Sequence, residues 1–267
     1  MISYPLLKQS VRSNYKLLLI FAVVLTLYMV MIVGMYDPEV SKTMEQLLGL
    51  LPEGMMDAFG FRMQDQTLTG FTASYMFGFL LLVVPLIYTI VAGNRIMAGS
   101  MENGSMAYLI GTPNSRLKIA YTQAVFLAGS LAVLFVYVAA VGVAACELMF
   151  PGQLRIGTYL DMCLGAYLLQ FAISGMVYYE SCTSDDLKHS LLFGTGIGFG
   201  FYLVHMLANM GGDLEVLKYG TIFTLFDTDL ILAVDRLGYI FMAILASIGI
   251  IFYAVGILVF RKRDLSI

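Results

Sequence analysis

Few side chains in this sequence have the chemistry for catalysis or metal binding, and one small group of them lies close together. Glu180, Asp185, Asp186 and His189 fall within ten residues of sequence. Carboxylates and an imidazole at that spacing can exchange protons or bind a metal ion. The other histidine, His205, lies 16 residues beyond His189, roughly 24 Å along a helix, so the two imidazoles cannot share one metal. We therefore expect no metal site and interpret the group as a solvated turn.

The short motifs of the common hydrolase and nucleotide-binding classes do not occur in the sequence. It contains no H-E-x-x-H zinc motif, no G-x-S-x-G nucleophile turn and no G-x-x-x-x-G-K-[ST] phosphate loop. An enzyme that acts inside a membrane stays open only as an alternative. Any ATP-driven function would need the nucleotide site on another chain.

Six long apolar runs must position whatever chemistry the chain performs. Each has 18 or more residues, and about 20 helical residues cross the hydrocarbon layer of a bilayer. The composition, 60% hydrophobic and 12% charged, is that of a membrane protein. We predict an all-α membrane protein with six transmembrane helices in one domain, 1–267. The runs are Leu17–Tyr36, Phe71–Gly93, Ile119–Ala145, Met162–Tyr179, Ser190–Met210 and Tyr239–Phe260.

Basic residues are divided unevenly between the two sides that these runs define. With the N-terminus in the cytoplasm, the inside segments carry 10 Lys and Arg residues and the outside segments carry 5. The positive-inside rule therefore predicts a multi-pass protein of the cell membrane with both termini cytoplasmic. Cys146 and Cys163 both fall near the outer face, where a disulfide between them and two buried free thiols are both open.

The segments outside the runs are also patterned. Lys8, Arg12 and Lys16 recur at four-residue steps and share one helix face, which predicts an amphipathic helix on the inner leaflet before the chain turns into the first span. The outer segment 37–70 is expected to form short amphipathic helices. The outer segment 211–237 is too apolar for a solvated loop and too charged to cross, which favours a re-entrant or interfacial helical hairpin.

Several residues inside the runs carry specific expectations. Pro85 interrupts the hydrogen-bond ladder of the second span and predicts a kink. His205 is the one acidic, basic or imidazole residue within a run, so an ion-gradient pump is disfavoured. His205 and Asn209 lie about one turn apart. They are candidates to face a transport path, and the alternative is that they hydrogen-bond a neighbouring helix.

The fifth run carries four glycines in two overlapping G-x-x-x-G pairs, Gly194 with Gly198 and Gly196 with Gly200. Such pairs allow two helices to approach closely in a membrane. They do not form a nucleotide-binding loop, which would follow a strand and open a soluble helix. We predict that these glycines pack helices.

The cytoplasmic segment 94–123 is the most informative stretch. Met106–Ile110 predicts a short apolar helix, and residues 112–115 (TPNS) predict a break followed by a helix cap. A short helix on a cytoplasmic loop can dock into a groove of a partner protein, and an ordinary connecting loop is the alternative.

This segment resembles the cytoplasmic loop of the type-2 permeases of ATP-binding-cassette (ABC) transporters. Residues 217–229 look like that family's outer segment before the last span, and 260–265 is similar to its basic C-terminus. The order of these regions extends the resemblance over the whole chain. The residues that carry it in the loop are Glu102, Gly104, Ser105, Tyr108, Leu109, Thr112, Pro113, Ser115, Arg116 and Ile119.

The resemblance implies a permease subunit of the type V exporter architecture, of bacterial origin. The loop would be a coupling helix that inserts into an ABC ATPase, with Lys8, Arg12 and Lys16 on an elbow helix beside it. ATP and Mg would be bound by that separate ATPase, present in two copies, and not by this chain. A second permease subunit, identical or paralogous, would complete the pathway in the lipid bilayer, with no nucleic acid involved. The alternative is a sensory or immunity module paired with an ATPase.

Overall fold

The computed structural model describes residues 2–36, 58, 67–112, 114–184 and 186–263. Within these residues every regular element is helical, and six helical segments are long and apolar enough to cross a membrane. All six lie on the predicted runs, so the described residues confirm the prediction of an all-α fold with six helices long and apolar enough to span a membrane. Most of the outer segment 37–70, for which short helices were expected, lies outside the described residues, as do Pro113 and Asp185.

Five of the six spans are single helices, and the second is built from consecutive shorter elements that begin at Leu68. The elements in chain order are α1 (Tyr4–Gly34), α2 (Leu68–Thr72), a π-helix (Ala73–Leu80), α3 (Leu81–Ile96), α4 (Ala98–Glu102), α5 (Ser105–Ile110), α6 (Arg116–Met149), α7 (Ile156–Thr183), α8 (Leu187–Asn209), two 3₁₀ helices (Gly212–Gly220 and Ile222–Leu225), α9 (Thr228–Leu232) and α10 (Arg236–Lys262).

The first helix differs from its prediction. The expected turn between residue 16 and the first span is wrong, because α1 runs unbroken through that point for 31 residues. Pro5 lies in the first turn of α1, where its missing N–H removes no helical hydrogen bond. Two hydrogen bonds hold this segment against α6: the Ser3 N–H donates to Thr122 Oγ1 at 3.0 Å, and the Ser10 hydroxyl donates to Gln123 Oε1 at 2.9 Å.

The three basic residues of α1 do share one exposed face, as their spacing predicts. The opposite face carries Leu6, Ser10 and Asn14, and all three are buried. The segment is therefore amphipathic, with its polar contacts turned toward the bundle. The end of the bundle where α1 begins, α4 and α5 lie and α10 ends is called the basic end. The opposite end, which carries the segment 211–237, is called the acidic end.

The centre of the bundle is formed by α7 and the second span. α7 packs against α3, α6, α8 and α10. In the most apolar stretch of each span, 61% of α7 and 67% of the second span is buried, against 17% of α1 and 22% of α8. Most of the apolar surface of α1 and α8 is therefore not covered by the described residues. Cys146, Cys163 and Cys182 are buried free thiols, the second of the two arrangements that the sequence left open.

The glycines of α8 divide into two faces. Gly194 and Gly198 are buried, and an added Cβ would lie 3.0 Å from Asn94 Nδ2 and 2.8 Å from Leu86 Cδ1 respectively. Gly196 and Gly200 have no described neighbour within 4 Å of such a Cβ. The missing side chains of the first pair let α8 approach α3 closely. The second pair lies on a face of α8 that no described residue covers.

Backbone hydrogen bonding in the second span departs from α geometry before the proline. Pro85 lies inside α3 as expected, but the preceding eight residues, Ala73–Leu80, form a π-helix. The Leu81 N–H accordingly donates to the Met76 carbonyl, five residues back. Next to the proline, the buried Gln170 side chain of α7 donates to the Leu82 carbonyl at 2.8 Å. π-Helical segments are rare, and those that occur are often at functional sites. This stretch is therefore a candidate functional segment of the second span.

Candidate functional site

At the basic end, α4 and α5 form a compact two-helix connection between the second and third spans. Gly104 separates them with a φ of 72°, a left-handed conformation that side chains disfavour. The turn is closed by the Ser105 N–H, which donates to Asn103 Oδ1 at 3.0 Å, and by the Ser105 hydroxyl, which donates to the Ser100 carbonyl at 3.2 Å. The short helix expected at Met106–Ile110 is therefore confirmed as α5.

The two faces of α5 have opposite roles. Met106 is 1% exposed and anchors the helix on the bundle, while Leu109 is half-buried beside it. Tyr108 points the other way and is 83% exposed. Beyond α5, the Ser115 hydroxyl caps α6 by accepting a hydrogen bond from the Lys118 N–H at 3.3 Å, which matches the predicted helix cap. The α4–α5 connection therefore exposes the Tyr108 ring on one face while Met106 anchors the other face on the bundle.

Glu102 and Arg116, predicted to flank a docking helix, are both bonded to other parts of the chain. Glu102 Oε2 accepts a hydrogen bond from the Leu187 N–H at the start of α8, at 3.2 Å. Arg116 Nη1 donates to the Arg263 carbonyl at the end of α10, at 2.6 Å. These bonds tie both ends of the α4–α5 connection to the fifth and sixth spans.

Arg263 extends this arrangement and was not singled out by sequence reasoning. Its Nη1 donates to the carbonyls of Cys182 at 2.9 Å and Ser184 at 3.1 Å, which end α7. Arg116, Arg263 and the last turn of α7 therefore form one hydrogen-bonded chain. The basic C-terminal cluster of the sequence was the available signal, but it indicated orientation and not a contact.

A buried polar network joins the α4–α5 connection to the centre of the bundle. The Ala98 N–H donates to Ser181 Oγ at 3.0 Å, and Ser181 Oγ donates to the Asn94 carbonyl at 3.3 Å. Asn94 Nδ2 donates to the Ile90 carbonyl at 2.7 Å, and Asn94 Oδ1 accepts a hydrogen bond from the Ser190 hydroxyl. Satisfied buried networks hold helices in one arrangement, so α3, α7 and α8 are fixed to the start of α4.

At the acidic end a cleft of about 140 Å³ is lined by residues of the π-helix, α8 and the segment 211–237. His205 and Asn209 both line it, with Asn209 Nδ2 and His205 Nε2 3.1 Å apart. The His205 ring also stacks on Phe223, with ring centroids 5.7 Å apart. The structure therefore brings the two predicted pathway residues together, and it adds Ser74 of the π-helix, which sequence reasoning missed.

The segment 211–237 is built from short helical elements, as expected of an interfacial or re-entrant stretch. Phe223, Phe226 and Ile231 are buried against the spans. Asp227 caps α9, with its Oδ1 accepting hydrogen bonds from the Asp229 and Leu230 N–H groups at 2.9 and 3.2 Å. Since Asp227 is half-buried and lines the cleft, it belongs to the cleft wall and not to a solvated loop.

The acidic and histidine group noticed first in the sequence lies between α7 and α8. Glu180 Oε1 accepts a hydrogen bond from the Ser184 hydroxyl at 3.2 Å, and Asp186 caps α8 by accepting from the His189 N–H at 2.7 Å. His189 and Asp186 are exposed, in line with a solvated turn. Among the described residues no group of three or more His, Cys, Asp or Glu side chains is placed to hold a metal.

The cap at Asp186 predicts a pH dependence of this turn. The His189 N–H, followed by its imidazole, lowers the pKa of Asp186 below its ordinary value. Because the folded-state pKa is the lower one, the carboxylate stabilises the first turn of α8 fully above about pH 4, and this is lost as pH falls through the folded pKa. Amide-exchange protection at His189 should fall over that range. Asp186→Ala should remove the protection at neutral pH, and Asp186→Asn, which keeps a cap, should retain most of it.

Comparison of the chain with protein-family models and with curated proteins finds no match. The basic end presents Tyr108 on α5, whose flanking residues bond to the fifth and sixth spans, and the acidic end contains a small polar cleft.

Proposed function

We propose that this chain is the transmembrane permease subunit of an ABC exporter and that it works with a separate ATPase that binds ATP and Mg. The observation that carries the proposal is α5, a short surface helix at the basic end that presents Tyr108 and is hydrogen-bonded to the spans through the residues at its two flanks. The resemblance of residues 94–123 to the coupling loop of type-2 permeases supports the same assignment.

α5 has the features of a helix that inserts into a groove. Such helices bind through a few apolar or aromatic side chains on one face. Exposed tyrosines are enriched among the residues that dominate binding energy, because a large ring buries much area at a small entropic cost. With Tyr108 outside and Met106 inside, α5 would insert its ring into the ATPase while its base stays on the permease.

The contacts of α4 and α5 supply a route by which the ATPase would move the spans. A displacement of α5 would change the Glu102 contact with α8 and the Arg116 contact with α10. The Asn94 network would transmit the same displacement to α3 and α7. In this proposal the α4–α5 connection is a coupling element, and Glu102 and Arg116 act by positioning it.

The membrane part of the proposal uses two copies of the permease in the cell membrane, with the basic end in the cytoplasm. The face of α8 that carries Gly196 and Gly200 is not covered by any described residue and would meet a second subunit. The cleft with His205 and Asn209 would then lie at the outer end of the pathway. An amphiphile is the favoured substrate class, because the spans offer an apolar path without fixed charges.

Tyr108→Ala tests the docking helix, with Tyr219→Ala as the matched control. Both rings are highly exposed, at 83% and 95%, and they lie at opposite ends of the bundle. We expect Tyr108→Ala to reduce recovery of the ATPase in pull-downs by about tenfold or more, as for a central tyrosine of an interface. Tyr219→Ala should recover as much as the unchanged protein. Equal recovery with both variants would reject α5 as the docking element.

A further inference from the structure

A polar cavity lies at the basic end between the first three turns of α1 and the α4–α5 connection. Its volume of about 510 Å³ falls in the range of roughly 300–1,000 Å³ found for small-molecule sites. Among the described residues no carboxylate lines it, and Arg95 is the one cation. The polar and charged side chains that line it include Ser10, Ser13, Asn14, Arg95, Ser100 and Gln123. The cavity is thus rich in hydroxyl and amide groups and carries net positive charge, which suits an anion.

Arg95 is placed to bind that anion. It lies at the end of α3, is exposed, and takes part in none of the ion pairs between described residues. A guanidinium presents N–H groups in a planar fork that matches two oxygens of a phosphate. The hydroxyl group of Ser13 lines the same cavity and can donate to a further phosphate oxygen.

Asn14 adds a second requirement on the ligand. The residue is 5% exposed, and its Nδ2 donates to the Ser10 carbonyl at 2.9 Å, which fixes the orientation of the amide. Its buried Oδ1 has no hydrogen-bond donor among the described residues. A buried acceptor is normally paired, so the ligand should bring a hydroxyl or ammonium donor as well as an anion.

The depth of the cavity identifies the class of molecule that combines these groups. α1 has 31 residues and is about 46 Å long, about 16 Å longer than the hydrocarbon layer. Its apolar part begins at Leu17, so Ser10 and Asn14 lie in the headgroup layer. In the following turns Leu19 and Ile20 are 57% and 56% exposed, a surface for acyl chains.

We propose that this cavity binds the headgroup of a glycerophospholipid, with the phosphate on Arg95 and a hydroxyl or ammonium group on Asn14 Oδ1. Phosphatidylethanolamine fits both positions. Phosphatidylcholine has the same charges but no N–H or O–H donor in its headgroup, so it leaves Asn14 unpaired. The lipid would stabilise the contact between α1 and the α4–α5 connection, because it touches both.

The test uses the purified full chain in detergent, with bound lipid counted by native mass spectrometry. Short-chain phosphatidylethanolamine should bind about tenfold more tightly than short-chain phosphatidylcholine, the ratio expected for one buried hydrogen bond. Phosphoethanolamine without acyl chains should bind more weakly than the lipid. Equal binding of the two lipids would overturn the proposal. If phosphoethanolamine binds as tightly as the lipid, the ligand is a soluble phosphate ester and the lipid proposal is wrong.

Two variants assign the binding to the cavity. Arg95→Gln should weaken phosphatidylethanolamine binding by about tenfold. The matched control Arg261→Gln removes an exposed charge at the same end, outside the cavity, and should change binding less than twofold. Asn14→Leu should abolish the preference over phosphatidylcholine. Equal weakening by the two arginine variants would overturn the site. If a variant fails to fold, the proposal is tested by the comparison of phosphatidylethanolamine with phosphatidylcholine on the unchanged protein. No ATPase is present, so the result is separate from the permease proposal.

Discussion

Replacing Glu102 and Arg116 together with alanine is expected to leave a membrane-embedded protein from which about tenfold less ATPase is recovered. Each side chain makes one charge-assisted hydrogen bond, to the Leu187 N–H and to the Arg263 carbonyl. Such bonds contribute about 1.5–3 kcal/mol when buried, and less here because water competes for both groups. A loss of about 1.4 kcal/mol corresponds to a factor of ten. Membrane insertion should persist, since neither residue lies in an apolar run.

The control for this prediction is Glu147→Ala. Glu147 Oε2 accepts a hydrogen bond from the Gly152 N–H at 3.1 Å, so the variant removes the same kind of contact at the acidic end. It should leave ATPase recovery unchanged. Glu102→Gln, which keeps an acceptor, should lie between alanine and the unchanged protein. Normal recovery and normal transport in the double variant would remove the coupling assignment.

Amide exchange in the absence of ATPase separates positioning from direct contact. If Glu102 acts by holding the start of α8, Glu102→Ala should increase exchange at Leu187 and within α4 in the isolated permease. If Glu102 only touches the ATPase, exchange in the isolated chain should stay the same. The Tyr108→Ala variant should not change exchange at Leu187, because its ring is exposed and away from that bond.

The spans could be predicted from sequence because few alternatives exist for such runs. A stretch of about 20 apolar residues in lipid must satisfy its own backbone, and a helix does so. α5 could be predicted for a local reason too, since an apolar turn at Met106–Ile110 is followed by a cap at Ser115. Helical elements in 211–237 followed from its mixture of apolar and acidic residues.

The features that sequence reasoning missed depend on contacts between distant residues. Arg116 and Arg263 are 147 positions apart, and nothing local pairs them. The first turns of α1 are bonded to α6 through Ser10 and Gln123, a pairing 113 positions apart. The π-helix at Ala73–Leu80 changes the hydrogen-bond partner by a single residue, which leaves no periodicity signal in so short a stretch.

The spacing of the glycines in α8 could predict only part of their packing, because the rest depends on contacts between distant residues. The spacing showed that Gly194 and Gly198 share a face, but the rotation of α8 decides which pair meets a neighbour. The closest backbone approach involving glycines is elsewhere, between α7 and α10. A Cβ on Gly175 would lie 2.9 Å from the Gly249 carbonyl oxygen. Small residues at such a crossing allow tight packing in lipid, where no hydrophobic force drives helices together.

Gly249→Ala is accordingly expected to lower the free energy of unfolding by about 1–3 kcal/mol, the usual effect of overpacking. The added Cβ would lie 2.5 Å from Phe171 Cε1 and 3.2 Å from the Phe171 carbonyl oxygen. The ring cannot move aside freely, because it lies between Tyr167 and Tyr253, with centroids 6.0 and 5.2 Å away. To make room for the added Cβ, α7 and α10 would have to separate at this crossing. This separation is costly because the two helices pack extensively against each other.

Thermal and SDS-induced unfolding of the purified chain measure this effect, with Gly196→Ala as the matched control. Both changes replace a helical glycine with alanine and gain the same helix propensity, up to about 1 kcal/mol. Gly196 has no described neighbour within 4 Å of the added Cβ, so that variant should unfold at or above the unchanged midpoint in the monomer. Gly249→Ala should unfold clearly below it. Coinciding midpoints for the two variants would mean that the α7–α10 crossing relaxes without loss, and that the glycines there are not what holds these helices together.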